Sequence, residues 1–330
     1  ATKSIAFMNV KLTPAQRMQF TRPQPFNTNA TLIQSPLNLP AKVDLGMNNT
    51  PVLDQGVHGS CVTFANTAAL DALIGKGDYV SQLCSLAVGS YMEERSYSPS
   101  GWDGSTGAVV INQLLQLGII DKATQSAKTC GGLSEYPTNS VEVSQPMPLK
   151  KYKSLSTDLN QNLLYRPIMS LADRISWGEW DLQDRPQSAE ILQRVKEAIA
   201  NKPDPLDANT KGRVTLGILL PIDFCNTGAC GKYQASNDTW LLTDAIKASM
   251  PDTTFGAHEM VITGYDDNAT LVDSEGKTHK GLLKLRNSWG TYMGDRGDYY
   301  MTYEFFCQFV FELHQLIWVP DAENSKISLV

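Results

Sequence analysis

Residues 51–65 read PVLDQGVHGSCVTFA, and this stretch decides the fold because a turn in it leads directly into a helix. The small residues 59–60 allow a tight turn immediately before Cys61. From Val62 onward, apolar residues recur at the three- and four-residue spacing of a helix, which we expect to end at Gly75. Cys61 is therefore predicted at a helix N-terminus, where the macrodipole favours a negative charge and lowers the pKa of a thiol.

A reactive thiolate also needs a partner that donates and accepts a proton near neutral pH, as histidine does. The chain has four histidines: His58, His258, His279 and His314. His58 lies in the turn, His279 in a polar stretch that predicts a hairpin tip, and His314 in an apolar run. His258 precedes a strand-like stretch, where the edge of a lobe is expected to face a cleft. Periodicity alone leaves the choice among them open.

The composition favours a globular protein without a nucleic-acid or membrane-spanning function. Its 330 residues predict two lobes, or one domain with insertions. Apolar residues make up 42%, which is enough for a large core. The net charge of −6, without a basic cluster, argues against a nucleic-acid partner. The sequence has no apolar run of the ~18 residues that would span a membrane.

The cysteines and the first residue bear on the cellular compartment of the protein and on whether it binds a metal or a cofactor. Six cysteines without CxxC spacing and four scattered histidines argue against a zinc site, and we expect no metal or cofactor. Cys225 and Cys230 flank a turn-like sequence, which predicts either a short disulfide-closed loop or two free thiols. The chain begins with Ala1, which fits a cleaved signal peptide or a trimmed sequence equally well.

The order of the predicted elements favours an α+β fold with helices first and strands later. After the first 39 residues, three helices are expected, and residues 119–187 are interpreted as a loop-rich insertion containing Trp177 and Trp180. The predicted helices begin near residues 60, 107 and 188, and a short capped helix follows Thr13 within residues 1–39. The predicted strands are 214–220, 260–264, 281–286 and 299–303.

Three segments in this order resemble those that carry the active site of papain-like cysteine peptidases. They are residues 51–65, residues 256–265 (GAHEMVITGY) and residues 285–290 (LRNSWG). The resemblance implies a papain-like two-lobe fold over 40–330, with an active-site cleft between a helical lobe and an antiparallel β lobe. The helical lobe is expected at about 50–135, an insertion-rich segment at 136–187 and the β lobe at 188–330. Residues 1–39 are interpreted as an accessory element docked on the core at the edge of the cleft.

The resemblance also implies a role for each matching residue. Cys61 would attack a peptide carbonyl, and His258 would act as the acid and base. Asn287 would orient the His258 ring, and Trp289 would shield their hydrogen bond. Gln55, together with the backbone N–H of Cys61, would hold the oxyanion.

The sequence departs from the family pattern at several positions. His58 and the neighbourhood of Trp102 replace the two halves of a family disulfide, and Val62 replaces an aromatic residue after the nucleophile. Gly104 and Ser105 stand where the family pairs a Gly-Gly stretch with the substrate backbone. The small side chains of Ala257 and Ala108 are expected to line the pocket for the second residue of the substrate.

These inferences predict a monomeric, secreted or lumenal cysteine peptidase that acts on peptides or proteins through a Cys61 thioester. Two alternatives stay open. One is a Cys-His-Asn acyltransferase or amidase, and the other is a catalytically inert papain-like binding module. Selective alkylation of Cys61 would separate the enzymes from the inert module.

Overall fold

The computed structural model describes residues 3–23, 26, 38–95, 97–170, 188–204, 207, 209–225 and 228–320. Its helices are α1 Pro14–Thr21, α2 Cys61–Ile74, α3 Gln82–Glu94, α4 Gly107–Leu117, α5 Lys122–Lys128, α6 Leu149–Leu155, α7 Ser188–Ala200, α8 Asp244–Ser249 and α9 Tyr303–Phe309. Its strands are β1 Met8–Asn9, β2 Lys42–Asp44, β3 Leu163–Ser170, β4 Lys211–Pro221, β5 Thr239–Trp240, β6 Phe255–Val272, β7 Thr278–Arg286, β8 Asp298–Thr302 and β9 Val310–Trp318. The α+β class expected from the sequence is confirmed.

One sheet contains all the described strands, in the order β3-β9-β4-β6-β7-β8-β5. Within the described residues, every pairing is antiparallel except that of β5 with β8. β6 is the longest strand, and it pairs with β4 through residues 255–262 and with β7 through residues 261–272. β1 pairs with Gly256 and Ala257. Because β4 occupies the other edge there, β1 lies on the edge of β6 that β7 leaves open.

Helix α2 lies against the sheet and also contacts α3 and α4. It is buried along almost its whole length, as a helix with apolar residues on all sides requires. Gly75 ends it in the left-handed conformation, with φ of 78°, where glycine has no side chain to clash. The predictions for α2, α4, α7 and the capped α1 are confirmed, as is the hairpin expected around His279, which β6 and β7 form.

The sequence interpretation missed two central features of the architecture. β9 is a buried strand between β3 and β4. The sequence interpretation identified this segment only as an apolar run that contains His314. Periodicity does not separate a strand buried on both faces from a buried helix. The segment 119–187 was expected to be loop-rich, but it contains α5, α6 and β3. Trp177 and Trp180 lie outside the described residues.

Two disulfides are present in the described part of the chain. Cys225 is bonded to Cys230, which settles the choice left open by the sequence. Cys84 is bonded to Cys130 across 46 residues, a pairing that the sequence did not indicate. The described residues contain no helix that is both long and apolar enough to cross a membrane.

Candidate active site

Cys61 is the first residue of α2, and its thiol is free and fully buried. The turn before it is held by side chains rather than by a helix cap. Ser60 makes no capping bond. Instead its hydroxyl pairs with the Tyr136 hydroxyl at 2.8 Å, and Tyr136 donates to the Gln55 carbonyl at 2.6 Å. The nucleophile candidate is thus fixed at the positive end of a 14-residue helix.

His258 lies on β6, in register with Ile218 of β4. Its Nε2 and the Oδ1 of Asn287 are 2.7 Å apart. The Ser288 backbone N–H also donates to that oxygen, at 2.7 Å, which marks it as an acceptor. Nε2 therefore carries the proton of the neutral ring, and Nδ1 is the basic nitrogen. Nδ1 has no hydrogen-bond partner among the described residues.

Trp289 covers the bond between His258 and Asn287. Its ring stacks on the His258 ring, with centroids 4.5 Å apart and planes 24° apart. The indole is itself buried against Trp240 and Tyr299. A hydrogen bond screened from water in this way is stronger and more directional than an exposed one.

Gln55 is buried, and three hydrogen bonds fix its amide. Its oxygen accepts from the Ser288 hydroxyl at 2.8 Å. Its nitrogen donates to the His58 carbonyl at 2.9 Å and to the Ala6 carbonyl at 3.4 Å. The second N–H is therefore directed at a carbonyl oxygen of the chain's own N-terminal segment.

Residues 3–12, here called the N-terminal strap, lie across these side chains. Lys3 pairs with Asp54 at 2.7 Å and donates to the Trp289 carbonyl. The Phe7 ring lies edge-on to the His258 ring, with centroids 6.2 Å apart, and edge-on to Trp289 at 5.7 Å. The strap thus covers the candidate site from Asp54 to the His258 ring.

The strap continues as β1 into a groove of about 390 Å³. Met8 pairs with Ala257, and its side chain lies close to Gly104. Gly104, Ser105 and Ala257, three of the four residues predicted to bind substrate, line this groove. Ala108, the fourth, lies in the first turn of α4, and it is not one of the residues that line the groove.

Burial keeps the Cys61 and His258 pair uncharged in this conformation. Removal from water raises the pKa of the Cys61 thiol far above its ordinary value, and the charge of Glu259 raises it further. Burial also lowers the pKa of His258 from 6.5 to about 4, although the bond to Asn287 acts in the opposite direction. A protonated thiol is poorly nucleophilic.

His58 does not serve this site. Its ring packs against Trp102, with centroids 4.9 Å apart, and its Nε2 lies 3.0 Å from the Pro137 carbonyl. His58 and Trp102 are therefore in contact where the resemblance implied the loss of a disulfide. Aromatic packing holds this part of the turn that precedes Cys61.

Sequence reasoning missed two features of the site. It placed residues 1–39 at the edge of the cleft but not against Gln55 and His258, since no periodicity reports where an extended segment docks. It also assigned no role to Glu259, although this acidic residue stands in a run of apolar and small residues directly after His258. A charged residue in a buried strand is itself a signal, because burial of an unpaired charge is costly.

Part of this sequence and the whole fold are similar to those of known proteins. Residues 243–324 match the model of the peptidase C1-like family. A search of curated proteins found no match. ProCathepsin B S9 from Trypanosoma congolense aligns with 96% of this chain and 87% of its own, with 12% identity and a TM-score of 0.50.

Two further solved structures align with lower TM-scores. Xylellain, a cysteine protease from Xylella fastidiosa, aligns over 96% of both chains with 17% identity and a TM-score of 0.49. Procathepsin L 3 from the larval midgut of Tenebrio molitor aligns with 94% of this chain and 82% of its own, with 18% identity and a TM-score of 0.47. The chain has the papain-like fold over nearly its whole length, and its residues 243–324 match the peptidase C1-like family.

Proposed function

We propose that this protein is a cysteine peptidase that hydrolyses peptide bonds in peptides or proteins. The observation that carries the proposal is the 2.7 Å bond between His258 and Asn287, because it leaves the basic Nδ1 of the ring without a hydrogen-bond partner among the described residues. Cys61, at the N-terminus of α2, forms no disulfide and keeps its thiol. A thiol, a base and an orienting amide are the parts that acyl transfer needs.

The proposed reaction begins when the His258 Nδ1 takes the Cys61 proton and the thiolate attacks the substrate carbonyl. The oxygen that becomes negative is held by the Gln55 amide and the Cys61 backbone N–H. Protonated His258 then gives its proton to the leaving amine, and a thioester remains. Neutral His258 next removes a proton from water, which attacks the thioester and releases the acid and Cys61. Asn287 holds the ring in the tautomer that both steps require.

The strap makes the observed conformation a closed form of the proposed enzyme. The Ala6 carbonyl accepts a hydrogen bond from the Gln55 amide that would otherwise serve the oxyanion. Displacement of Phe7 and Met8 would return water to Cys61 and His258. The thiol pKa would then fall and the imidazole pKa would rise, because both shifts arise mainly from burial.

The test compares the unaltered chain, Cys61→Ser, and Phe7→Ala, which loosens the strap and replaces none of the proposed catalytic residues. Mass spectrometry of a mixed peptide library would detect cleavage. We expect cleavage by the unaltered chain, faster cleavage by Phe7→Ala, and none by either chain after Cys61→Ser is introduced. Absence of cleavage and of selective iodoacetamide labelling at Cys61 in both Cys61-containing chains would identify an inert module and refute the proposal.

The same assay separates hydrolysis from acyl transfer. If an added amine competes with water for the acyl-enzyme and most product carries the amine, the protein is a transferase and not a peptidase. Release of free acid in the presence of the amine supports the peptidase.

We further propose a secreted or lumenal location and a monomeric state. The two disulfides support the location, since such bonds persist in oxidising compartments. Fractionation of the native source and light scattering of the purified chain would test the two statements. A reduced cytosolic protein, or a dimer, would overturn the corresponding one.

A further inference from the structure

A buried acid, Glu259, lies beneath the candidate site. It follows His258 on β6, so its side chain points to the opposite face of the sheet, towards α2. Its side chain is fully buried. Asn66 of α2 donates to Glu259 Oε1 at 3.4 Å and accepts from Thr215 of β4 at 2.9 Å. Glu259 is therefore part of a polar contact that ties the catalytic helix to the sheet.

The sheet makes room for this acid through Gly217 of β4. Gly217 is in register with Glu259 on one side and with Glu312 of β9 on the other. A Cβ at Gly217 would lie 3.1 Å from Glu259 Oε2 and 2.7 Å from the Phe311 ring. Glu259 Oε2 and Glu312 Oε2 are both buried, and neither has a hydrogen-bond partner among the described residues. Two acids thus approach the same gap from opposite strands.

The groups around Glu259 do not include a cation bonded to it. From α2 it faces Cys61, and from β9 it faces Glu312, which bonds His314 at 2.7 Å. Arg286, at the end of β7, lines a small cavity with Glu259 but pairs with Asp298. Among the described residues, no lysine, arginine or histidine nitrogen forms an ion pair with Glu259.

Such an acid is easier to bury uncharged than charged. Burial raises the pKa of Glu259 well above its ordinary value, and the charge of Glu312 adds to the effect, while the Asn66 bond opposes it. Glu259 in turn affects the pKa of Cys61. A negative charge on Glu259 raises the pKa of the Cys61 thiol and so disfavours the thiolate.

We propose that Glu259 is a positioning residue that carries a proton at neutral pH and acts through Cys61. As an uncharged acid it accepts the Asn66 bond that holds the start of α2 on the sheet. When it loses its proton to solvent at alkaline pH, its charge suppresses the Cys61 thiolate. This inference rests on the proposed thiol chemistry of Cys61, but it does not require that peptides be cleaved.

The first experiment measures the rate of iodoacetamide alkylation of Cys61 against pH in the full-length chain and in Glu259→Gln. We expect the ratio of the variant rate to the unaltered rate to rise about tenfold between neutral pH and about pH 9.5, since one pKa unit is a tenfold change in thiolate. Glu142→Gln, an identical change on an exposed loop, should give a flat ratio. A flat ratio for Glu259→Gln overturns the proposal.

The second experiment covers the case in which Glu259→Gln fails to fold. It uses Asp71→Asn, because the pKa of Asp71, another buried acid, is raised to about 7 and its protonated form would give a similar infrared band. Infrared spectra of Asp71→Asn should contain a protonated-carboxyl band at neutral pH that disappears at alkaline pH while the chain remains folded. Where Glu259→Gln folds, adding it to Asp71→Asn should remove this band. If Asp71→Asn has no such band, Glu259 is ionised at neutral pH and the proposal is wrong. A chain that alkylates as expected but cleaves no peptide would refute the proposed function alone.

Discussion

At the scale of single residues, the bond from His258 Nε2 to Asn287 Oδ1 decides which ring nitrogen can take a proton. Asn287→Ala removes the acceptor and frees the ring to rotate or change tautomer. Loss of a hydrogen bond to a group that becomes charged costs about 1.5–3 kcal/mol, so we expect kcat to fall about 10- to 100-fold. KM should change little, because Asn287 is not predicted to contact the substrate. Steady-state kinetics on a cleaved peptide would measure both constants.

Asn268→Ala is the matched control, since Asn268 is exposed on β6, the strand that carries His258. It should leave kcat and KM unaltered. If Asn287→Ala raises KM and leaves kcat intact, the amide helps to bind the substrate and does not orient the histidine.

The sequence could predict these residues because their chemistry is local. The helix N-terminus at Cys61 follows from a Gly-Ser turn and an apolar stripe. The choice of His258 over the other three histidines needed the resemblance, because β pairing between distant segments leaves no periodic signal. The roles of Cys61, His258 and Asn287 stay predictions until variants are assayed.

At the scale of elements, the C-terminal end of α2 carries a second buried acid, Asp71. Its Oδ1 accepts the Val80 backbone N–H at 2.9 Å. Burial raises its pKa from 3.8 to about 7, although backbone hydrogen bonds oppose the shift. Between these two pH values the folded chain binds more protons than the unfolded chain, so the free energy of unfolding falls as pH rises. The loss is complete above about pH 7.

Asp71→Asn keeps the oxygen that accepts from Val80 and cannot ionise. We therefore expect it to raise the free energy of unfolding by about 1–3 kcal/mol at pH 8, with no such gain at about pH 4. Urea unfolding at the two pH values would measure the difference. The exposed change Asp158→Asn should have no pH-dependent effect. An equal effect of Asp71→Asn at both pH values would mean that Asp71 titrates normally in the folded chain.

The elements that sequence periodicity predicted are those with one clear apolar stripe or a cap. The capped α1 and the striped α4 are examples. α3 was missed because its buried side packs small and polar residues, including Ser85 and Gly89, and no apolar period stands out. β9 was missed for a different reason. It is buried on both faces, so polar and apolar residues do not alternate regularly along it.

At the scale of the whole molecule, the strap runs along the cleft at the N-terminal end of β6, which carries His258. It is held at one end by Lys3 and Asp54. Beyond its other end, α1 is anchored by Arg17, which donates to the Thr253 carbonyl at 2.7 Å. This placement was only partly predictable, because an extended segment of mixed polarity has many possible docking sites. The closed form thus depends on contacts spread along residues 3–21.

Acid should open this closed form. The pKa of His258 is about 4 under the strap, against 6.5 for the ordinary ring. An open form, with the ring in water, binds more protons between these values, so the closed form loses stability as pH falls from 6.5 towards 4. We expect amide exchange at Met8 and Asn9, corrected for intrinsic rates, to increase at least tenfold over this range. Mass spectrometry of the full-length chain would follow these amides.

His258→Gln isolates the contribution of the ring from that of the Lys3–Asp54 pair at the other end of the strap. The glutamine cannot take a proton, so exchange at Met8 and Asn9 should lose most of its pH dependence. His279→Gln, in the distant hairpin, should retain it. If exchange rises equally in His258→Gln, the acid response comes from the Lys3 end, and the histidine has no part in holding the strap closed.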